Sequence, residues 1–169
     1  MGYHTDFYGE FKLDKPLTEE QYKYLLMFNA TRRMKRDVKV LQTMSDPVRE
    51  AVGLPIGVEG EYFVGGEGDY GQARDESILN YNSPACTQPG LWCKWTPLDN
   101  LSIGWDGAEK FYDYVEWIKY IIEHFLERWE LKLNGEVIWQ GEDYDDKGKI
   151  VVTDNVVKEL YGRVVYEEN

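Results

Sequence analysis

The side chains best suited to bind a ligand or a partner come from two stretches of this chain. One is TRRMKRD, which lies in the only net-positive block of its size: residues 31–50 hold six basic and three acidic side chains. The other is the segment from Gly65 to Trp95, which combines glycines with polar and aromatic residues. The candidate binding residues are Arg32, Arg33, Arg36, Gln72, Arg74, Asp75, Trp92 and Trp95.

Arginine and tryptophan in this combination suit two kinds of site. Adjacent guanidinium groups can bind a carboxylate or a phosphate through paired hydrogen bonds. Aromatic side chains with convergent polar groups line small-ligand pockets, and Trp and Arg also dominate many protein–protein contacts. The alternative is structural, with the arginines complementing the dipole at a helix end and the tryptophans packed in the core. The spacing leaves both interpretations open.

No residue pattern predicts a catalytic nucleophile. The chain has no Gly-x-Ser-x-Gly sequence, and Cys86 and Cys93 have no basic neighbour other than Lys94. His124 lies among aromatic residues, where a core or boundary histidine is the more frequent case. The segment GGEGDYGQAR lacks the Gly-Lys-Ser/Thr ending of a phosphate-binding loop, which disfavours a nucleotide-binding fold. We predict no catalytic residues, no cofactor and a reduced pair of cysteines.

An acidic stretch near the C-terminus resembles a calcium-binding loop. Asp143, Asp145 and Asp154 match the first, third and twelfth positions of an EF-hand loop. Lys147 occupies the fifth position, where a ligand oxygen is expected, and the flanking residues alternate as strands do. We therefore expect an acidic β-turn and no metal, with the calcium loop as the alternative.

The longest predicted element is WDGAEKFYDYVEWIKYIIEHFLERW, from Trp105 to Trp129. Apolar residues recur there at spacings of three and four, which indicates an amphipathic helix. Asp106 and Glu109 resemble a capping box at its start. We predict one long central helix over about residues 106–129, whose start borders the candidate site because it is close in sequence to LWCKW.

Other patterns predict strands and two further helices, one of them a short helix that begins at Ser45-Asp46-Pro47 and is closed by Gly53. Residues 3–13 alternate as a half-buried strand, and a capping box from Thr18 to Gln21 begins a helix that continues through about Met34. Short strands are expected at residues 62–64 and 91–96.

The C-terminal third predicts a β-meander, because Asn134-Gly135 between alternating segments is a strong signal for a two-residue hairpin turn. The fold class is therefore α+β: a mostly antiparallel sheet packed against the long central helix, with an N-terminal strand–helix unit and a long Gly-rich irregular segment. We expect a single domain over residues 1–169.

Composition and net charge limit the kinds of partner that this chain is expected to bind. No apolar run approaches the roughly 18 residues that span a bilayer, and the start MGYHTDFYGEF resembles no secretory signal, so we expect a cytoplasmic protein without membrane contact. The net charge of −12 repels phosphate backbones, so direct nucleic-acid binding is not expected. The acidic surface either provides solubility or mimics nucleic acid in a basic groove of another protein.

Several strings resemble a group of small phage and bacterial proteins with no established activity: GYHTDFYGEF, TRRMKRD, EYFVGGEGDYGQARD, QPGLWCKW, WDGAEKFYDYVEWIKYIIEHFL and LNGEVIWQGED. This resemblance implies an accessory protein of phage origin. Our first hypothesis is stoichiometric binding to a host or phage protein, with possible partners including a defence or nucleic-acid-handling factor inhibited by mimicry. The alternatives are a small-ligand-binding enzyme or sensor that uses Arg32, Arg33, Arg74 and the Gly65–Trp95 region, and a minor structural phage protein.

Overall fold

The computed structural model describes residues 2–65 and 73–169, which form the expected α+β fold with a mostly antiparallel sheet. The described strands are β1 (Thr5–Leu13), β2 (Met34–Arg36), β3 (Ile78–Pro84), β4 (Trp95–Asp99), β5 (Ser102–Trp105), β6 (Leu133–Gly141), β7 (Lys147–Thr153) and β8 (Val156–Tyr161). The described α-helices are α1 (Glu19–Ala30), α2 (Val38–Leu41), α3 (Pro47–Ala51) and α4 (Tyr114–Ile121). The main sheet has the order β4-β5-β1-β6-β7-β8, and β2 pairs with β3 separately.

Strand β1 lies inside the main sheet and follows the predicted alternation. Its buried side chains are Thr5, Phe7, Phe11 and Leu13. The pairing with β6 continues over the whole strand without a register shift, so Gly9 is not a bulge. A Cβ at Gly9 would lie 2.7 Å from the carbonyl oxygen of Glu136, so this glycine permits the close approach of the neighbouring strand.

Helix α1 begins where the sequence predicts and ends earlier. The Thr18 side chain accepts from the Gln21 N–H at 3.1 Å, and the Gln21 side chain accepts from the Thr18 N–H at 3.0 Å, which confirms the capping box. The prediction that the helix continues to Met34 is wrong. It ends at Ala30 because Thr31 has an extended backbone, with its hydroxyl donating to the carbonyl oxygen of Met27 at 2.6 Å. The arginine-rich segment therefore follows the helix and runs into β2.

The prediction of one long central helix over about residues 106–129 is also wrong. Residues Gly107, Lys110 and Asp113 have positive φ values of 85°, 61° and 56°, which no continuous right-handed helix tolerates. Asp106 does not cap a helix, since its carboxylate accepts from the Asn29 amide at 2.9 Å. The helix begins only at Tyr114.

Helix α4 changes its hydrogen-bonding pattern before it ends. The segment Ile122–Leu126 is π-helical, and the Glu127 N–H donates to the carbonyl oxygen of Ile122 at 2.9 Å. The buried face of α4 and this segment packs on the inner face of the main sheet, where one hydrophobic cluster contains Trp117, Phe125 and Leu126.

The predicted Asn134-Gly135 hairpin turn is wrong as well. Both residues lie inside β6, where Asn134 pairs with Lys12 and Gly135 with Phe11 of β1. The Gly135 backbone has φ 137°, and a Cβ there would lie 2.9 Å from the carbonyl oxygen of Glu10. The glycine therefore serves close packing between strands rather than a turn.

Two short strand predictions fail wholly or in part. Residues 62–64 are buried but belong to a loop, which is held by Tyr24 and Asp46. The Tyr24 hydroxyl donates to the carbonyl oxygen of Tyr62 at 2.8 Å, and the Asp46 carboxylate accepts from the Gly65 N–H at 3.0 Å. Of residues 91–96, only Trp95 and Thr96 belong to a strand, β4.

Candidate functional site

Two of the candidate arginines meet on one aromatic ring. The guanidinium carbons of Arg32 and Arg74 lie 4.4 and 4.8 Å from the centroid of Tyr81, at cation–π distance. Arg32 Nε also donates to the carbonyl oxygen of Tyr81 at 3.0 Å. The structure therefore joins the two stretches of the candidate site at this ring.

Two other candidate residues form an ion pair. Arg36 is buried, and its Nη1 lies 3.2 Å from the Asp75 carboxylate and 2.7 Å from the hydroxyl oxygen of Ser77. Its guanidinium also lies over the Phe63 ring at 4.4 Å. These contacts hold the arginine in place as a structural cation. Gln72 lies outside the described residues.

The remaining candidates lie elsewhere. Arg33 is 2% exposed, donates to the carbonyl oxygen of Glu61 at 2.7 Å and lies over the Phe28 ring at 4.2 Å. Burial lowers its pKa. Trp95 belongs to the core, whereas Trp92 lines a cleft beside Lys94. The structure thus distributes the described candidates over several places, and a joint binding role for them stays a prediction.

The calcium-loop alternative does not match the geometry. Asp143 and Asp145 lie in the turn between β6 and β7, whereas Asp154 follows β7 at its opposite end. The seven residues of β7 separate these groups by about 20 Å at the rise of an extended strand. Within residues 2–65 and 73–169, no group of three His, Cys, Asp or Glu side chains could hold a metal ion.

A buried polar network links the loop that contains Glu61 and Tyr62 to α4 and the π-helical segment after it. No sequence pattern predicts this network. Tyr120 donates to the Glu61 carboxylate at 2.7 Å, and the Gln88 amide donates to the Glu61 carbonyl oxygen at 2.7 Å. His124 stacks on Tyr120 with 3.9 Å between ring centroids, and its Nδ1 lies 2.5 Å from the Tyr62 hydroxyl. His124 is therefore a partnered boundary histidine that helps to fix the loop.

An acidic surface forms around Tyr161 at the end of edge strand β8. The Tyr161 side chain is 75% exposed, and its ring packs edge-on against Trp139 at 5.9 Å. Hydrogen bonding to the Glu159 carboxylate raises the pKa of Tyr161, and the negative charges of Glu159, Glu116 and Asp146 raise it further. Carboxylates from β8, α4 and the β6–β7 turn therefore act electrostatically on one exposed tyrosine, and one of them, Asp146, also accepts a hydrogen bond from the Tyr3 hydroxyl. We call this group the Tyr161 surface.

The same three carboxylates also act on the neighbouring Tyr114. Burial is the main reason that its pKa is raised, and the charges of Glu159, Asp146 and Glu116 add to the effect. Spacing alone could not bring these carboxylates together, because they belong to separate elements. A dense group of carboxylates attracts lysine and arginine side chains of a partner.

The two edges of the main sheet differ in their protection. Edge strand β4 contains Pro97 and a register shift, both of which hinder pairing with another strand. Edge strand β8 contains no proline and exposes Val156, Leu160 and Tyr161. The open edge of β8 therefore lies beside the Tyr161 surface.

Comparisons with known proteins supply no relative from which a site could be transferred: no family model, no curated protein and no solved structure matches the chain. Among the helices of the described ranges, none has the length and apolar character needed to cross a membrane.

Proposed function

We propose that this chain is a non-enzymatic binding protein that presents the Tyr161 surface and the open edge of β8 to a basic surface of another protein. The observation that carries the proposal is the exposed Tyr161 at the end of an edge strand, hydrogen-bonded to Glu159 and subject to the negative charges of Glu116 and Asp146. Tyrosine is one of the residues that dominate protein–protein binding, and surrounding carboxylates provide complementarity to cations.

The charge of the whole chain supports the same kind of partner. A net charge of −12 steers a positively charged protein toward this surface and repels the phosphates of DNA or RNA. A partner that normally binds nucleic acid offers a suitable basic groove, in which the carboxylates occupy the place of phosphates. The resemblance of the sequence to phage proteins suggests a host factor as the partner.

The open edge of β8 adds a second mode of contact. An unpaired edge strand can accept a strand from a partner through main-chain hydrogen bonds. The exposed Leu160 and Val156 provide apolar contacts along that edge. Charge would then bring the partner to the surface, and the apolar and main-chain contacts would retain it.

Affinity capture from a bacterial lysate tests the proposal. The immobilised chain should retain a basic nucleic-acid-binding protein at low ionic strength, release it as salt increases, and lose it to added DNA that competes for the same groove. Tyr161→Ala should weaken binding of the purified partner by about 2 kcal/mol, or roughly thirtyfold in Kd. The double variant Glu116→Gln/Glu159→Gln should also reduce the salt dependence.

A matched control variant distinguishes the contribution of the Tyr161 surface to binding from that of the overall net charge. Glu123 and Glu127 are exposed at the other end of the same helical region, so Glu123→Gln/Glu127→Gln removes the same charge away from Tyr161. This control should leave the affinity within about twofold. Equal losses in both double variants, or a retained partner that ignores DNA and salt, would contradict the proposal.

A further inference from the structure

Strand β8 and the segment after it are both open to pairing with another strand. β8 is the last strand of the main sheet, and residues 163–169 make no backbone hydrogen bond to the described part of the chain. No residue from Val156 to Asn169 is proline, and none has a positive φ value. The whole stretch is therefore compatible with a longer strand that pairs along its open edge.

The side chains of this stretch also favour a strand and leave apolar surface uncovered. The sequence VVKELYGRVVYEEN is rich in valine and tyrosine, which are common in strands. Val165 and Tyr166 are 63% and 88% exposed, and Val156 and Leu160 of β8 are exposed as well. An open edge with exposed apolar side chains attracts another strand unless something covers it.

Hydrogen bonding inside the sheet shows which backbone groups of β8 face the open edge. The Gly162 N–H donates to the carbonyl oxygen of Lys147 at 2.8 Å, so the backbone groups of Gly162 point toward β7. These directions alternate along a strand, and the N–H and C=O groups of Val157, Glu159 and Tyr161 therefore point away from β7. An added strand would hydrogen-bond to these three residues.

A second copy of β8 can pair antiparallel with this edge about a two-fold axis. Residues that stand opposite each other then share one face of the sheet, so the axis passes through a single residue that faces its own copy. An axis at Lys158 or Glu159 places like charges directly opposite each other, which is unfavourable. An axis at Leu160 leaves Arg163 opposite an apolar side chain. An axis at Tyr161 places Arg163 opposite the Glu159 carboxylate of the second copy.

The register centred on Tyr161 also pairs the apolar side chains. It places Val157 opposite Val165 of the second copy on the inner face of the sheet, where Val157 packs against the hydrophobic core. It places Val156 opposite Tyr166 of the second copy on the outer face. Pairs of opposite charge and of β-branched or aromatic residues are the cross-strand contacts that stabilise a sheet.

We propose that two copies of this chain associate through β8 and the segment after it, in the antiparallel register centred on Tyr161, and so join their main sheets into one. The pairing covers the open edge of β8, and its consequence for partner binding rests on the proposed function: the second copy occupies this edge until a basic partner displaces it. Arg163 of the second copy then stands where the partner would place a cation. The net charge of −12 on each chain opposes association and keeps it reversible.

Sedimentation equilibrium of the full chain tests the register by charge exchange. The parent chain should show a reversible monomer–dimer equilibrium. Glu159→Arg and Arg163→Glu each place like charges opposite each other at both symmetry-related positions, so each should weaken the dimer at least about tenfold. The double variant Glu159→Arg/Arg163→Glu restores both pairs of opposite charge, and its dissociation constant should return to within about threefold of that of the parent chain.

A matched control separates this effect from net charge. Glu123 is exposed outside β8, and Glu123→Arg changes the net charge as Glu159→Arg does. It should leave dimer affinity within about threefold. A parent chain that stays monomeric up to about 1 mM, or a double variant as weak as the single variants, would overturn the proposal.

Hydrogen exchange followed by nuclear magnetic resonance measures the pairing residue by residue. The amides of Glu159, Tyr161 and Arg163 should gain protection as the concentration of the parent chain rises, and this gain should be absent in Arg163→Glu. The Leu160 amide, which faces β7, should not depend on concentration. Concentration-independent exchange at all these amides would contradict the pairing.

The outcomes for the two proposals are distinguishable. A chain that stays monomeric but captures a basic partner would refute the pairing and support the proposed function. A dimer that captures no such partner would support the pairing and refute the proposed function.

Discussion

Replacing Gly135 with alanine tests the central pairing of the fold. Gly135 lies inside β6 opposite Phe11, with φ 137°, and an added Cβ would lie 2.9 Å from the carbonyl oxygen of Glu10 and 3.2 Å from the Cα of Phe11. These neighbours are backbone atoms of β1, a strand paired on both sides, so they cannot move aside without disturbing the sheet.

The expected loss of stability has two parts. A non-glycine residue with this backbone conformation costs about 1–3 kcal/mol. The contact with the β1 backbone adds about 1–3 kcal/mol of overpacking. Alanine also restricts the unfolded chain, which offsets roughly 0.4–1 kcal/mol. The free energy of unfolding should therefore fall by about 1–5.6 kcal/mol in total, with a central value of about 3 kcal/mol.

Gly53 provides the matched control for this substitution. It has φ 72°, but an added Cβ would meet no atom within 4 Å. Gly53→Ala therefore carries backbone strain without a collision, and its net cost should be about 1 kcal/mol. The difference between the two variants isolates the contact between β1 and β6.

Urea unfolding followed by tryptophan fluorescence measures both variants against the parent chain. Gly135→Ala should lower the midpoint clearly more than Gly53→Ala, with unchanged m-values that indicate comparable unfolding transitions. If Gly135 lay in a two-residue hairpin turn at the end of the sheet, its Cβ would point into open space and the two variants would lose similar stability. Losses equal within about 0.5 kcal/mol would therefore refute the pairing of Gly135 with β1.

Two further predictions concern the loops around the core. Tyr120→Phe removes the hydroxyl that donates to the buried Glu61 carboxylate, so the free energy of unfolding should fall by about 1–3 kcal/mol in chemical denaturation; a neutral effect would refute a role of this bond in stability. The Leu101 N–H that donates to Asp99 lowers the pKa of this carboxyl, so its stabilisation is present above about pH 4 and is lost as pH falls through the lower folded-state pKa. Asp99→Asn should therefore reduce the dependence of stability on pH between about pH 4 and pH 2 in acid titrations, and an identical pH profile would contradict the assignment.

The sequence predicts those elements whose signals are local. The capping box at Thr18 and Gln21 needs only residues three apart, and the alternation of β1 needs only a burial period of two. The predicted start of the helix near residue 106 was wrong because core packing outweighs helical periodicity before Tyr114. Phe111 is buried against Phe7 and Trp95, and the chain reaches that position only through non-helical turns.

The Asn134-Gly135 error has the same cause over a longer range. The dipeptide satisfies every local condition of a hairpin turn, yet the pairing of β6 with β1 involves residues more than 100 positions apart in sequence. No local sequence pattern indicates which distant strand will pair with β6. Gly135 does mark a position that requires glycine, but the requirement comes from the close approach of β6 to β1 and not from a turn.

The candidate binding residues show what composition can and cannot indicate. Of the grouped arginines and tryptophans, the structure places Trp92 in a cleft and Arg32 with Arg74 on Tyr81, while a binding role for them stays a prediction. Composition could not separate these from Arg33, which is buried against Phe28, since both environments use cation–π contacts. The carboxylates at the Tyr161 surface escaped notice because acidic residues are abundant and only the fold gathers these three.

The start of α4 connects a cleft-lining loop to the Tyr161 surface within one helical turn. Asp113 has the left-handed conformation and lines the cleft, while Tyr114 turns into the core and receives the indole N–H of Trp95 on its carbonyl oxygen at 2.8 Å. Glu116, on the exposed side of the first helical turn, belongs to the Tyr161 surface. The hydrogen bond from Trp95 to Tyr114 thus fixes the first turn of α4 on the core, and the position of Glu116 at the Tyr161 surface depends on that turn.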